Sequence, residues 1–490
     1  MKDHQTTVIV GGGFVGLFTA LYWRYQATLN LGYQKAEHSL VLIDPQQRFV
    51  FKPMLYELLT EELPEDVVCP TYDELLQGSP IELLTDQVEQ INLKQKQLQL
   101  ASGKQLSYDS LVLSVGSVQG YLGTPGAEEY AFAFRSRDNA IALKAHLKQC
   151  LQKAKITTDE SERRALLTIA IVGAGPAGVE MAATLADLLA DWYAELKGNI
   201  HEIRLVLINH GAEILSGDVN ANLRDVVCQS FKERAIPVEL MMGVGVKAVY
   251  GDRLEYQHKD QPDPETLYCG TTIWTAGTAT HPLIETLKDQ IPLESLNRHG
   301  LLLVNESLQL LDYPEVFAAG DCVEVKNHRQ PALAQVAYQQ AGTISHNLIA
   351  LSQDNPLKSS SVMLRGTLMK LGLRNGVANL FDKVEINHQI GHLIRNATYI
   401  EMLPTPLHDF KATDEWLKEE IFHRHTPIGQ QIQQQPQSPA KRAEKRERRF
   451  VKALAVFAPI LFGLAIYWGM QTPSNEKIRP SPTVKPQIER

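Results

Sequence analysis

The stretch Thr7-Val8-Ile9-Val10-Gly11-Gly12-Gly13-Phe14-Val15-Gly16 decides the fold. A short, β-branched apolar run breaks into glycines, and an apolar, helix-like segment follows from Leu17. This is G-x-G-x-x-G at Gly11, Gly13 and Gly16, set between a strand and a helix. Gly11 permits the tight turn, Gly13 lets the backbone approach a pyrophosphate, and Gly16 lets the helix pack on its strand. The N-terminus of that helix offers free N–H groups and partial positive charge to the phosphates. A second apolar run, Ser39-Leu40-Val41-Leu42-Ile43, ends in Asp44. A carboxylate there accepts hydrogen bonds from an adenosine ribose.

The pattern then recurs. Leu167 to Val172 leads into Gly173-Ala174-Gly175-Pro176-Ala177-Gly178-Val179-Glu180, and the run Ile203 to Ile208 ends at Asn209. A late strand ending in small residues is also repeated, Tyr108 to Ser117 with Gly116 and Thr271 to Thr278 with Gly277. Small residues at such an end let backbone approach a dinucleotide. Two dinucleotide folds suggest two dinucleotides, a tightly held flavin and a nicotinamide that exchanges. Val316-Phe317-Ala318-Ala319-Gly320-Asp321 is a strand that can place a carboxylate on a flavin's ribityl chain. The chain therefore returns to its first domain here, and the nicotinamide domain is an insertion. Gln335 and Gln339 lie one turn apart on one face of the helix that follows.

At 490 residues the chain has room for two or three domains. A net charge of −8 argues against a general nucleic-acid binder. The five cysteines, Cys69, Cys150, Cys228, Cys269 and Cys322, form no C-x-x-C. They give neither a disulfide framework nor a zinc site, and no His/Cys/Asp/Glu group has metal-ligand spacing. The expected domains are 1–135, the first part of a flavin domain; 136–300, the nicotinamide domain; 301–358, the second part of the flavin domain; and 359–425, a small C-terminal unit. Within these, the patterning predicts a strand meander over 83–100, a helix over 137–154, a polar connection over 157–164, a β unit over 364–394 turning at Asn375-Gly376, and a helix over 414–423. The segment 426–449 reads as a linker with a basic run, Lys441 to Arg449, of six basic and two acidic residues. Residues 450–470 contain an uncharged apolar run and read as a transmembrane helix, with a disordered tail over 471–490. By the positive-inside rule this makes a single-pass C-terminal anchor with the catalytic body on the cytoplasmic side.

These motifs resemble those of the type II NAD(P)H:quinone oxidoreductases, within the two-dinucleotide, disulfide-reductase-like flavoproteins, over roughly residues 5 to 380. Phe49-Val50-Phe51-Lys52-Pro53-Met54-Leu55-Tyr56-Glu57-Leu58-Leu59 is most similar to the cyanobacterial and plastid branch. The resemblance implies an α/β fold of two Rossmann-like domains, a small β-rich C-terminal unit and, here, the transmembrane helix. It implies non-covalent FAD held by Gly11, Gly13, Phe14, Val15, Gly16, Asp44, Gly116, Gly320 and Asp321. It implies NADH or NADPH as substrate on Gly173, Gly175, Gly178, Asn209 and Gly277. Glu180 matches the family's glutamate near the nicotinamide, and Ala334-Gln335, with Gln339 one turn on, matches the quinone end of the flavin. The implied activity passes a hydride from NAD(P)H to flavin and two electrons to a plastoquinone-, naphthoquinone- or ubiquinone-type acceptor, without proton pumping. Implied partners are the quinone and a lipid bilayer, with room for a homodimer and none for nucleic acid. Two rivals are a sulfide:quinone reductase, which needs a cysteine pair facing the flavin, and a membrane-tethered redox sensor with little turnover. The chain departs from the family at Asn209, where many members carry an acidic residue, and at its C-terminus, where bacterial members carry amphipathic helices.

Overall fold

The computed structural model describes residues 5–29, 38–217, 221–380 and 384–422. Its centre is two parallel five-stranded sheets built to one plan. In the first, the strand order is Val316–Ala318, Ser110–Leu113, Gln5–Val10, His38–Asp44, Glu82–Thr85. In the second it is Phe132–Ala133, Thr271–Trp274, Thr168–Val172, Arg204–Asn209, Val238–Met242. The strands read as unbroken apolar runs because both faces are covered, and Thr168–Val172 is buried along its whole length. Each unit also carries an antiparallel three-stranded meander, Val88–Asn92 with Gln97–Leu100 and Gln105–Ser107 in the first, Val244–Val249 with Arg253–His258 and Glu265–Tyr268 in the second. The sequence suggested only the first of these.

Val316–Ala318 pairs in parallel with Leu111–Leu113, so the chain does return to its first sheet, and the second unit is inserted. The strands Ser117–Gln119 and Thr278–Thr280 pair antiparallel and join the two units just beyond Gly116 and Gly277. Helix Phe14–Leu29 packs on helix Ala334–Ser352 through Phe18 and Tyr22 against Tyr338.

The C-terminal unit is an antiparallel sheet of Gly366–Lys370, Gly376–Leu380 and Val384–Ile386, followed by helices His388–Glu401 and Pro406–Phe422. Strand structure therefore stops at Ile386, where the expected β unit ran to 394, and the last helix starts at Pro406 instead of 414. The expected polar connection over 157–164 is largely the helix Glu160–Leu166, capped by Asp159 accepting from the Ser161 and Glu162 amides.

The expected C-terminal transmembrane helix, and with it the single-pass anchor and cytoplasmic-side placement, is corrected. Among the described residues no helix is long and apolar enough to cross a membrane. Residues 450–470 lie outside the described residues.

Candidate functional site

Both glycine loops have the same stereochemistry. Gly11 and Gly173 sit at φ +98° and +107°, a left-handed region that favours glycine. A Cβ on Gly16 would stand 1.8 Å from the Gly11 carbonyl oxygen, and one on Gly178 the same distance from that of Gly173. By contrast, a Cβ on Gly13 or Gly175 would meet nothing within 4 Å. Two glycines in each loop are thus demanded by the fold, and the third leaves an open cradle of the kind a pyrophosphate fills. A hydroxyl locks each loop to the late strand. Ser114 Oγ donates to the Val10 and Gly11 carbonyls, and Thr275 Oγ1 to those of Val172 and Gly173.

The two strand-end residues also correspond. Asp44 Oδ2 accepts from the Gly12 amide at 2.6 Å and Oδ1 from Gln46 at 2.8 Å. Burial raises its carboxyl above the usual range, and these amides oppose the rise. Asn209 Oδ1 accepts from the Ala174 amide at 3.3 Å, while Nδ2 donates to the Gly211 and Glu213 carbonyls. The sequence places no arginine beside Asn209, but folding brings Arg224 onto Glu213 at 2.7 Å.

At the far end of the first cradle, Asp321 Oδ2 accepts from Ser117 Oγ at 3.0 Å, and Arg135 Nη2 donates to that Oγ and to the Ser117 carbonyl. Gln340, buried in the helix Ala334–Ser352, accepts from the Gly320 amide at 2.8 Å and so positions Gly320-Asp321. Tyr72 donates to the Gly12 carbonyl. Sequence reasoning missed Gln340, Tyr72 and Arg135, since no motif spacing links them to the loops they hold.

Gln335 and Gln339 do share a face, and both turn to the segment 363–366. Gln335 Oε1 accepts from the Arg365 amide and its Nε2 donates to the Gly366 carbonyl. Gln339 brackets Met363 in the same way, accepting from its amide and donating to its carbonyl.

Glu180 lies in the second turn of the helix Pro176–Glu195 that opens from the second cradle. Its Oε1 accepts from the Lys370 backbone amide at 2.7 Å and stands 3.8 Å from Arg395 Nε. Burial pushes its carboxyl up to about 7; Arg395 and the Lys370 amide oppose this and Glu57 adds to it. Behind it is a buried charge cluster. Lys370 Nζ donates to Glu57 Oε1 at 3.0 Å and to Glu62, and Arg395 Nη1 donates to Glu57 Oε1 at 2.7 Å. Burial would raise the Glu57 carboxyl, but Arg395 and Lys370 outweigh it and hold it down to about 2. Three carboxylates face two cations, so a proton on Glu180 balances the cluster. The sequence carried a signal for it, a lysine ending the apolar strand Leu368-Met369-Lys370 and a glutamate inside Leu55-Tyr56-Glu57-Leu58.

The segment around Lys52 bridges the two units. The Pro53 carbonyl accepts from Arg395 Nη2 at 2.7 Å, and the Tyr56 hydroxyl donates to the Ala177 carbonyl in the first turn of the second cradle's helix at 2.9 Å. All five cysteines are free thiols. Cys322 is fully buried, its thiol turned to the Ala319 and Leu113 carbonyls and pushed up to about 12 by burial. Among the described residues no His/Cys/Asp/Glu group could hold a metal ion.

Residues 5–341 match the family described as pyridine nucleotide-disulphide oxidoreductase. The chain is 30% identical over 437 residues to alternative NAD(P)H-ubiquinone oxidoreductase C1, chloroplastic/mitochondrial, of Arabidopsis thaliana, covering 83% of this chain and 79% of that protein. It is 29% identical over 444 residues to demethylphylloquinone reductase NdbB of Synechocystis, covering 89% of this chain and 100% of that protein. Its fold is similar to that of NDH2 from Plasmodium falciparum, solved in complex with NADH, with a TM-score of 0.77 at 20% identity over 86% of this chain and 99% of that one.

Proposed function

Because the chain belongs to the type II NAD(P)H:quinone oxidoreductases, within the pyridine nucleotide-disulphide oxidoreductase family, we propose that its two glycine cradles divide the work between a resident FAD and an exchanging nucleotide. It is an NAD(P)H-dependent flavin oxidoreductase that feeds electrons to a membrane quinone. The observation that carries the division of labour is the duplicated open cradle at Gly13 and Gly175, with the segment Lys52–Tyr56 joining the two.

The first cradle, with Asp44 for the adenosine ribose and Gly320-Asp321 for the ribityl chain, fits non-covalent FAD. The strand-end Gly116 and the helix start at Phe14 and Val15 complete it. Bound FAD supplies the hydride-accepting nitrogen and the two-electron store that links nucleotide to quinone. The second cradle, with Gly173, Gly175, Gly178, Asn209 and Gly277, holds the nucleotide and brings its nicotinamide to the junction. Glu180 orients the nicotinamide end and stores a proton. The net reaction, NAD(P)H + quinone + H⁺ → NAD(P)⁺ + quinol, consumes one proton, and Glu180 is a buried carboxyl on the nucleotide side that burial pushes up to about 7. Gln335 and Gln339 shape the quinone side through their hold on 363–366. A neutral Asn209 does not repel a 2′-phosphate as an acidic residue would, so the nucleotide site accepts both NADPH and NADH. Cys322 offers no exposed thiol for sulfide chemistry.

The test is purification of the protein with its flavin. It should be yellow, release FAD on denaturation, and turn over NADH and NADPH with a soluble quinone. Asp44→Ala should lower flavin retention. A protein that lacks flavin and cannot be reconstituted with FAD would sink this reading, and flavin without steady-state turnover would favour the sensor.

A further inference from the structure

One residue of the 49–59 stretch has no task so far. Lys52 opens the short helical turn Lys52–Met54, and among the described residues its ammonium makes no hydrogen bond or ion pair. Solvent reaches the side chain. Even so, the protein packed around it depresses the ammonium below the usual lysine range, by desolvation first and by Arg135 second, with Asp321 opposing. These two facts describe a cation in an open cleft, reachable by water but enclosed by protein. Among the described residues the guanidinium of Arg135, its neighbour, bonds only the neutral oxygens of Ser117. Among the described residues the charges acting on Lys52 are thus one further cation, Arg135, and one carboxylate, Asp321, which leaves this neighbourhood short of one negative charge.

The position says which anion fits. Phe51, just before Lys52, packs on Phe14 beside the first cradle, with ring centroids 5.2 Å apart. Pro53, just after it, binds Arg395, which lies 3.8 Å from Glu180. Tyr56 reaches the first turn of the second cradle's helix. Lys52 therefore stands where the flavin's redox ring must meet the nicotinamide, one step beyond the cradle that takes the pyrophosphate.

We propose that Lys52 faces the isoalloxazine ring and stabilises the negative charge that reduction places on it, so that this lysine sets how readily the flavin accepts a hydride. It acts as a positioned point charge aimed at where the negative charge develops. Arg135 supports it from the Ser117 side. The inference rests on FAD occupying the first cradle; a failure of that reading shows as flavin-free protein, a different result from any below.

The experiment uses the purified full chain with its FAD. Sulfite is the probe, because it adds to the oxidised flavin's N5 through its sulfur lone pair and leaves a negative charge on the ring without nucleotide or quinone. Lys52→Met should weaken sulfite binding about tenfold, and Lys52→Arg should restore most of it. A tenfold change in the reduction equilibrium corresponds to about 30 mV for a two-electron couple, so the midpoint potential of Lys52→Met should fall by roughly that amount. Lys96→Met, which removes a lysine paired with Glu315 on the surface, should change neither quantity. The proposal is overturned if Lys52→Met leaves sulfite affinity and potential unaltered, whether or not flavin content drops. Loss of flavin alone would assign Lys52 to the pyrophosphate. Because solvent reaches Lys52, its replacement leaves the fold intact, and an unchanged melting curve confirms that the readouts report the ring.

Discussion

Replacing Lys370 by Met should release the C-terminal unit from the two dinucleotide units. Lys370 is fully buried at the end of the strand Gly366–Lys370, and its ammonium holds Glu57, at 3.0 Å, and Glu62. Met matches its length but leaves those carboxylates with less cationic compensation. Removing one partner of a buried ion pair costs about 3–5 kcal/mol, most of it the penalty of the charge left behind. Glu57 keeps Arg395, so the lower figure is expected, about 3 kcal/mol. The cost should appear as local opening, read by native-state hydrogen exchange over Gly366–Leu380. At about 1.4 kcal/mol per tenfold, exchange there should speed up roughly 150-fold. Glu62→Gln in the Lys370→Met background removes the orphaned charge and should recover part of the loss, a positive coupling between contacting residues. The pH dependence has a definite sign. Glu57 titrates at about 2 in the fold against an ordinary 4.5, so its contribution is complete above 4.5 and is lost as pH falls from there toward 2. In Lys370→Met, with less cationic hold on Glu57, the loss should be complete at a higher pH. Exchange accelerated less than tenfold, or Glu62→Gln adding its own loss to that of Lys370→Met, would refute the cluster as the clamp.

Gly175→Ala should fold and melt like the parent, because a Cβ there meets no protein atom, yet should raise the KM for NAD(P)H at least tenfold; an unchanged KM would mean the cradle is not the nucleotide's. Gln335→Leu should retain FAD and its reduction by nucleotide but slow quinone turnover, since it frees the Arg365 and Gly366 backbone; equal loss of both half-reactions in stopped flow would contradict a quinone-side role. Glu180→Gln should abolish an ionisation near pH 7 from the pH profile of turnover, because burial raises this carboxyl to about 7 so that it is protonated below and ionised above; a profile retaining that ionisation would assign it elsewhere. Asn209→Glu should raise the KM for NADPH relative to NADH, with steady-state kinetics as the measure; a wild type that already rejects NADPH, unaltered by the substitution, would place Asn209 away from the ribose.

The two dinucleotide units were determined by the sequence itself. Their glycines, apolar strands and strand-end Asp44 and Asn209 are local facts of spacing, and a parallel strand buried on both faces must read as an unbroken apolar run. The return of the chain at Val316–Ala318 was legible from Gly320-Asp321, a strand end that resembles a flavin contact. What only the tertiary structure decided are the groups that meet from far apart along the chain. Glu57, Glu180, Lys370 and Arg395 converge from both dinucleotide units and the C-terminal unit, and no spacing along the chain joins them into one cluster. Gln335 matched the quinone end of the flavin by resemblance, but its backbone partners in 365–366 are supplied by the path of the chain. Burial and charge pairing are properties of neighbours in space, and a sequence gives only neighbours along the chain.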